Sequence, residues 1–256
     1  MNNQIVIDAD NVLTFRETPW DTQAFGFSTS EVLTIKYGDQ LLLTELLRRY
    51  TYQAREDGVQ FSYCRISAED HDLKRALQLA DYYYAETSLL LIKTDVHKEH
   101  FGKIFKNDLV VSEPQSENDY DQIKIIAKNA FNYSRFHEDP NISSEKARLR
   151  YYNWIDDLRA QNKEFLIYKT GNTVNSFITF SVDKESVTLY VGGSDLGKGF
   201  LTPFFWATFL TKLQLRGVKR VGGIMSAANV PMFNMYVKLA FKVDKVLLGF
   251  HRFSNS

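Results

Sequence analysis

Three segments hold the residues whose types and spacing could do chemistry. The first is Gly192-Gly-Ser-Asp-Leu-Gly-Lys-Gly-Phe-Leu-Thr202. Its glycines at 197 and 199 let a ligand approach the main chain. If a helix opens behind them, its unpaired N–H groups and dipole make an anion site suited to a pyrophosphate. A plain strand-to-helix turn would show the same residues. The second is Asn229-Val-Pro-Met-Phe-Asn-Met-Tyr-Val-Lys-Leu-Ala-Phe241. Tyr236, a phenol with a reference pKa of ~10, could give a proton to a leaving group at neutral pH, or simply pack its ring in a core. Asn229 could contact a ligand or cap the helix. The third is Phe131-Asn-Tyr-Ser-Arg-Phe-His-Glu-Asp-Pro140. Its aromatic faces stand beside Arg135, His137 and Asp139, a mixture suited to a polar, phosphorylated, ring-bearing ligand such as a nucleotide sugar. A connecting loop with its own packed aromatics reads the same way. His137 has no second histidine or cysteine at ligand spacing, so no metal is expected.

The elements that must position these segments follow from periodicity. Residues 120–131 and 144–159 carry apolar residues at mostly helical spacing, the second run opened by Ser143 or Ser144 as cap. Three short β-branched and aromatic runs, 164–169, 173–181 and 186–191, are separated by Gly171-Asn172 and by Asp183-Lys184-Glu185, which predicts an antiparallel meander. After the glycine loop come a helix over 201–215, a strand over 218–225, a helix over 231–239 and a strand over 243–253. The upstream half predicts helix 41–55, strand 59–66, helix 70–79 and strand 82–92. That is the same helix-strand-helix-strand order at an offset of roughly 160, with Gly58-Val59 falling on Gly217-Val218. The polar stretch from Asp108 to Asp121, with its proline, predicts a border near 112. The expected units are an amino-terminal α/β domain over 1–112 and a second domain over 113–256.

The 256 residues are 44% hydrophobic and 24% charged, enough for a substantial core. Lys plus Arg and Asp plus Glu number 31 each, so no net field draws polyanions, and nucleic acid is not an expected partner. Cys64 is the single cysteine and lies in an apolar run, which predicts a buried small hydrophobe. No window approaches the ~20 apolar residues of a membrane span, and the start lacks a basic stretch before an apolar one. The expectation is a cytoplasmic protein with no membrane partner; a homodimer is compatible with the composition.

Two segments resemble the GNAT N-acetyltransferases. Their first motif, V-x-x-x-x-(Q/R)-G-x-G-x-(G/A), is similar to Val191-Gly-Gly-Ser-Asp-Leu-Gly-Lys-Gly-Phe-Leu201. Their second, N-x-x-A-x-x-x-Y-x-x-x-G-F, is matched at Asn229, Tyr236 and Phe241 without a gap. Leu196 and Leu201 depart from the first motif, Met232 and Ala240 from the second. The resemblance implies an α/β (α+β) GNAT fold with a mixed central sheet and flanking helices, the amino-terminal domain being a partial unit of the same kind. It implies acetyl-CoA as co-substrate, held by Leu189 and Val191 on the strand, by Leu196, Gly197, Lys198, Gly199, Leu201 and Thr202 on the loop, and by Asn229. Tyr236 becomes the acid that protonates the leaving thiolate. Phe131, Arg135, Phe136, His137 and Asp139 become the acceptor pocket. The elements Arg135-Phe-His-Glu-Asp-Pro140 and Trp20-Asp-Thr-Gln-Ala-Phe-Gly26 further resemble those of TDP-fucosamine acetyltransferases, which implies a TDP-linked amino-deoxy sugar as acceptor. A different amine, or a GNAT-like module that binds without catalysis, are the competing expectations.

Overall fold

The computed structural model describes residues 2–98 and 109–254. Asp108, the start of the expected border stretch, lies outside the described residues. In chain order the elements are β1 Asn3–Asp8, β2 Asn11–Glu17, α1 Pro19–Phe25, β3 Thr29–Lys36, α2 Gln40–Glu56, β4 Phe61–Ser67, α3 His71–Leu79 and β5 Tyr83–Lys93. They continue with β6 Val111–Ser112, α4 Glu117–Ala130, α5 Ser144–Ala160, β7 Glu164–Thr170, β8 Thr173–Asp183, β9 Ser186–Ser194, α6 Thr202–Leu215, β10 Arg220–Ser226, α7 Val230–Lys238 and β11 Lys242–Phe253. Except at α1 and α6, helix starts coincide with side chains that hold an orphan N–H. Asp39, Asp70, Ser116, Ser143 and Asn229 accept from the third residue beyond them, and Ser143 rather than Ser144 is the cap of α5.

Among the described residues all strands join one 11-stranded mixed sheet in the order β1-β2-β3-β4-β11-β5-β10-β9-β8-β7-β6. The unit β3-α2-β4-α3-β5 recurs as β9-α6-β10-α7-β11, and the recurrence extends to backbone detail. Asp70 and Asn229, 159 positions apart, each cap the helix of their unit. At the same spacing, Gly58 and Gly217 both take positive φ, as do Asp81 and Ala240. The units exchange their last strands: β11 lies between β4 and β5, and β5 lies between β11 and β10. A division at 112 therefore leaves β5 of the first unit embedded among strands of the second. Residues 111–112 themselves pair with β7 at the far edge.

Alternate residues along each strand feed cores on opposite faces, as the period of two requires. On one face α6 and α7 pack over Ile178, Phe180 and Val221, and α2 and α3 over Leu13, Val32 and Cys64. The Cys64 thiol is buried there and pushed up to about 12 by burial, which suits an inert core residue. On the other face α4 and α5 cover Phe165, Ile167 and Phe177, while α1 and Phe136 cover Phe61 and Tyr63. Among the described residues no helix is long and apolar enough to cross a membrane.

Candidate active site

The parallel pair β9 and β10 is bonded only at Ser186–Thr188 against Arg220–Gly222, although β9 continues to Ser194 and β10 to Ser226. Beyond Thr188 the strands diverge, and a cavity of about 1320 Å³ occupies the opening. Small residues keep it open. A Cβ on Gly223 would stand 2.9 Å from Cβ of Leu189, so Leu189 lies over the space that a side chain on β10 would take. On its other edge β9 is irregular opposite Thr179, whose hydroxyl accepts from Val191 N–H at 3.1 Å and donates to Val191 C=O at 3.0 Å. Leu189 and Val191 both line the cavity, but the main-chain groups of Val191 are occupied by Thr179.

At one end of the cavity is the glycine loop. Gly197 turns the chain with φ 80, a value that favours glycine. Lys198 N–H donates to Asp195 C=O at 2.9 Å, and a short 3₁₀ turn over Gly199–Leu201 leads into α6. Gly199 and Thr202 line the cavity, whereas Leu196, Gly197, Lys198 and Leu201 do not. Leu196 is exposed, pointing away from any core. The first turn of α6 carries no acid, which leaves its dipole free to favour an anion. The other unit differs at this place. Asp39, the counterpart of Lys198, puts its carboxylate on the Leu42 N–H of α2 at 2.9 Å, and Tyr37 is bonded to Asp70 at 2.6 Å. A carboxylate there repels phosphate, so the anion-favouring helix start belongs to the carboxyl-terminal unit.

Asn229 caps α7 through Oδ1, 3.3 Å from Met232 N, and also lines the cavity. Tyr236 stands edge-on to Trp206 at 5.0 Å and to Phe241 at 4.8 Å between ring centroids. It lines the cavity as well, and among the described residues its hydroxyl has no protein partner. Burial pushes its phenol well above the ordinary tyrosine value, so it stays protonated across neutral pH.

The residues expected around the acceptor separate into two groups. Phe131 stacks on Tyr151 at 4.5 Å, and both line the cavity, as do Arg135 and Phe136. Arg135 is bonded to Glu31 at 3.3 Å and lies over the Tyr63 ring at 4.3 Å. Burial works against its charge, and Glu31 together with Tyr63, Asp21 and Glu86 more than restores it. His137 and Asp139 lie off the cavity wall. His137 Nδ1 is 2.8 Å from Ser134 Oγ, and burial lowers its pKa to about 4. Asp139 is buried beneath the loop, bonded to His251, Tyr83 and the Asn141 N–H. A charged residue in a polar loop reads as ligand-facing until its distant partner on β11 is known.

Sequence reasoning passed over part of the wall: Arg16 and Tyr63 with Arg65 from the amino-terminal unit, Trp154 from α5, and Ser226 at the end of β10. A signal for Arg65 was present. It is the one charged residue of the run Phe61-Ser-Tyr-Cys-Arg-Ile-Ser67, and burying a charge without a purpose or partner is expensive.

The architecture has counterparts among solved structures. A functionally unknown conserved protein from Staphylococcus epidermidis superposes with a TM-score of 0.67 at 9% identity, covering 99% of this chain and 95% of that one. A GCN5-related N-acetyltransferase from Kribbella flavida gives 0.62 at 9% identity over 99% and 90% of the two chains. A tandem GNAT protein of the clavulanic acid biosynthesis pathway gives 0.59 at 9% identity over 96% and 79%. The fold is that of the GNAT acetyltransferases. At this identity the likeness is one of fold. No protein-family model and no curated protein matches the sequence.

Proposed function

We propose that the chain is an acetyl-CoA-dependent N-acetyltransferase whose acceptor is the amine of a nucleotide-activated, TDP-linked amino-deoxy sugar. The observation that carries this reading is the divergence of β9 from β10. It opens a continuous cavity from the acid-free start of α6 to a wall of arginines and aromatic rings. The residues present fit acetyl-CoA. The helix start and glycine turn suit its pyrophosphate, and Leu189, Phe205, Trp206 and Met225 give an apolar wall for its pantetheine arm. Trp20, Tyr63, Phe131, Tyr151, Arg16 and Arg65 suit a ring-bearing anionic acceptor. In this reading residues 113–256 form the cofactor-binding unit, and the unit over 1–112 supplies part of the acceptor wall.

The co-substrate supplies a thioester carbonyl carbon. The acceptor amine forms a bond to it and sheds a proton to water, the C–S bond breaks, and the departing thiolate takes a proton that water then returns to the donor. Tyr236 holds that proton at neutral pH and sits on the cavity wall. Soaking acetyl-CoA with TDP- and UDP-linked amino sugars and following thiol release tests the reading. Turnover is expected with a TDP-amino sugar. Release with amino acids or polyamines but no amino sugar would replace the acceptor, and no binding of acetyl-CoA at millimolar concentration by calorimetry would remove the enzyme.

A further inference from the structure

Arg65 reaches the cavity from the centre of the shared sheet. Its Nε donates to Glu86 Oε1 at 2.9 Å across β11. The residue between them, opposite both in register, is Gly249, where a Cβ would stand 2.9 Å from Glu86 Cγ. The pair therefore crosses β11 at the one position of that strand without a side chain. Glu86 is fully buried and also accepts from Ser88 Oγ at 2.7 Å, so it is a fixed anchor. Among the described residues no protein acceptor meets the two terminal nitrogens of Arg65. Its side chain keeps 26% of its exposure and lines the cavity.

The surroundings leave Arg65 short of negative charge. Glu31 is shared by Arg16 and Arg135, so these two and Arg65 have two carboxylates among them, Glu31 and Glu86; of the other arginines on the cavity wall, Arg150 is bonded to Asp21. The remaining acid nearby, Glu138, accepts from Ser226 Oγ at 2.5 Å, and burial together with the Glu86 charge raises its affinity for a proton. Burial, then the charge of Arg135, weakens the hold of Arg65 on its own proton despite Glu86. A partly desolvated guanidinium with an open fork favours a planar or tetrahedral oxyanion over water.

We propose that the terminal nitrogens of Arg65, oriented by Glu86, seat an anionic group of the acceptor, a carboxylate or a phosphate, and so select acceptors that carry one. This rests on the acyl-transfer reading for its catalytic consequence, not for the binding itself. Arg65 would be a specificity determinant, and Glu86 a positioning residue that acts through it.

The test uses the full chain with Arg65→Gln, and with Arg65→Gln/Glu86→Gln to avoid leaving a buried carboxylate unpaired. Melting temperature is read against dTDP, inorganic phosphate and acetate. The wild type is expected to be stabilised by at least one of them, and both variants to lose that shift; phosphate against acetate separates the two anions. In turnover, acceptors are compared in pairs that differ only in the anionic group, such as a TDP-amino sugar and its neutral methyl glycoside. Removing a charge-assisted bidentate contact is expected to raise KM for the anionic acceptor by ~10–100-fold, a loss at least ~10-fold larger than that on the neutral acceptor, with KM for acetyl-CoA changing far less than either. Equal losses on both acceptors, or an undiminished anion shift in the variants, would overturn the proposal. An anion shift that depends on Arg65 in a chain with no transferase activity would overturn the enzyme reading and leave the seat standing.

Discussion

His251 Nδ1 lies 2.6 Å from Asp139 Oδ2, with both side chains fully buried. The contact joins the loop behind α4 to β11, the strand exchanged between the two units, and Tyr83 of β5 adds its hydroxyl to the same carboxylate at 2.8 Å. The loop that presents Phe131 and Arg135 to the cavity is thus fastened to the sheet from below. Asp139→Ala removes one partner and leaves the buried imidazole unsatisfied between the rings of Phe61 and Phe136. A loss of about 3 kcal/mol in urea denaturation is expected. A loss under ~0.5 kcal/mol, the size of an ordinary surface change, would show that the pair does not fasten the loop.

The same region sets a pH dependence. Burial lowers the pKa of His251, and burial with the Arg148 charge lowers that of His137 to about 4. Burial pushes Asp139 up, but its bonds to His251 and Asn141 outweigh this and hold the carboxyl below its ordinary range. All three are depressed in the folded chain, so the unfolded chain binds more protons in the intervening range. Stability then rises with pH. For His137 it should be lost as pH falls from the ordinary histidine value of ~6.5 towards about 4. Melting temperature measured from pH 7 down to 4.5 should fall by several degrees, and His137→Gln should flatten part of that slope. A temperature that rises on acidification would contradict the assignment.

The carboxyl-terminal elements were legible because each is bounded by strong punctuation: Gly171, the Asp183-Lys184-Glu185 turn, the glycine loop, Gly217 and the Asn229 cap. The recurrence at an offset near 160 was legible for the same reason, since Gly58 and Gly217 end equivalent helices. The first strands and α1 were not read, β1 being largely exposed and α1 only seven residues long with a proline as its first. Nor could the exchange of β5 and β11 be seen. Both are long strands flanked on either side, and which neighbour each joins depends on edges formed by residues far away in sequence. The cavity wall suffers from the same limit: Arg65 and Ser226 face one cavity only because that exchange places β4, β11, β5 and β10 side by side.

The opening between β9 and β10 depends on glycine at 223. Gly223→Ala places a methyl 2.9 Å from Cβ of Leu189, a backbone-fixed atom that cannot swing aside. Either the strands part further or Leu189 shifts into the cleft. A cost of about 1–3 kcal/mol is expected from overpacking. The affinity for acetyl-CoA, measured by calorimetry, should weaken more than ten-fold by the ~1.4 kcal/mol per decade relation, because the wall that would hold the pantetheine arm has moved. Unchanged affinity would place the cofactor elsewhere.

Tyr236 offers the sharpest separation of chemistry from packing. Its ring is held edge-on by Trp206 and Phe241, contacts that phenylalanine would keep. Tyr236→Phe should therefore leave the melting temperature close to that of the parent. If the hydroxyl protonates the leaving thiolate, kcat should fall by ~10²–10⁴-fold, the usual range for a positioned general acid, with KM for acetyl-CoA little altered. Burial pushes the phenol above its ordinary value, so the basic limb of the kcat profile should lie above the ~10 of a free tyrosine. Two results would count against the role. Near-parental turnover in the variant would reduce Tyr236 to a packing residue, while a large fall in melting temperature would show that the hydroxyl is structural.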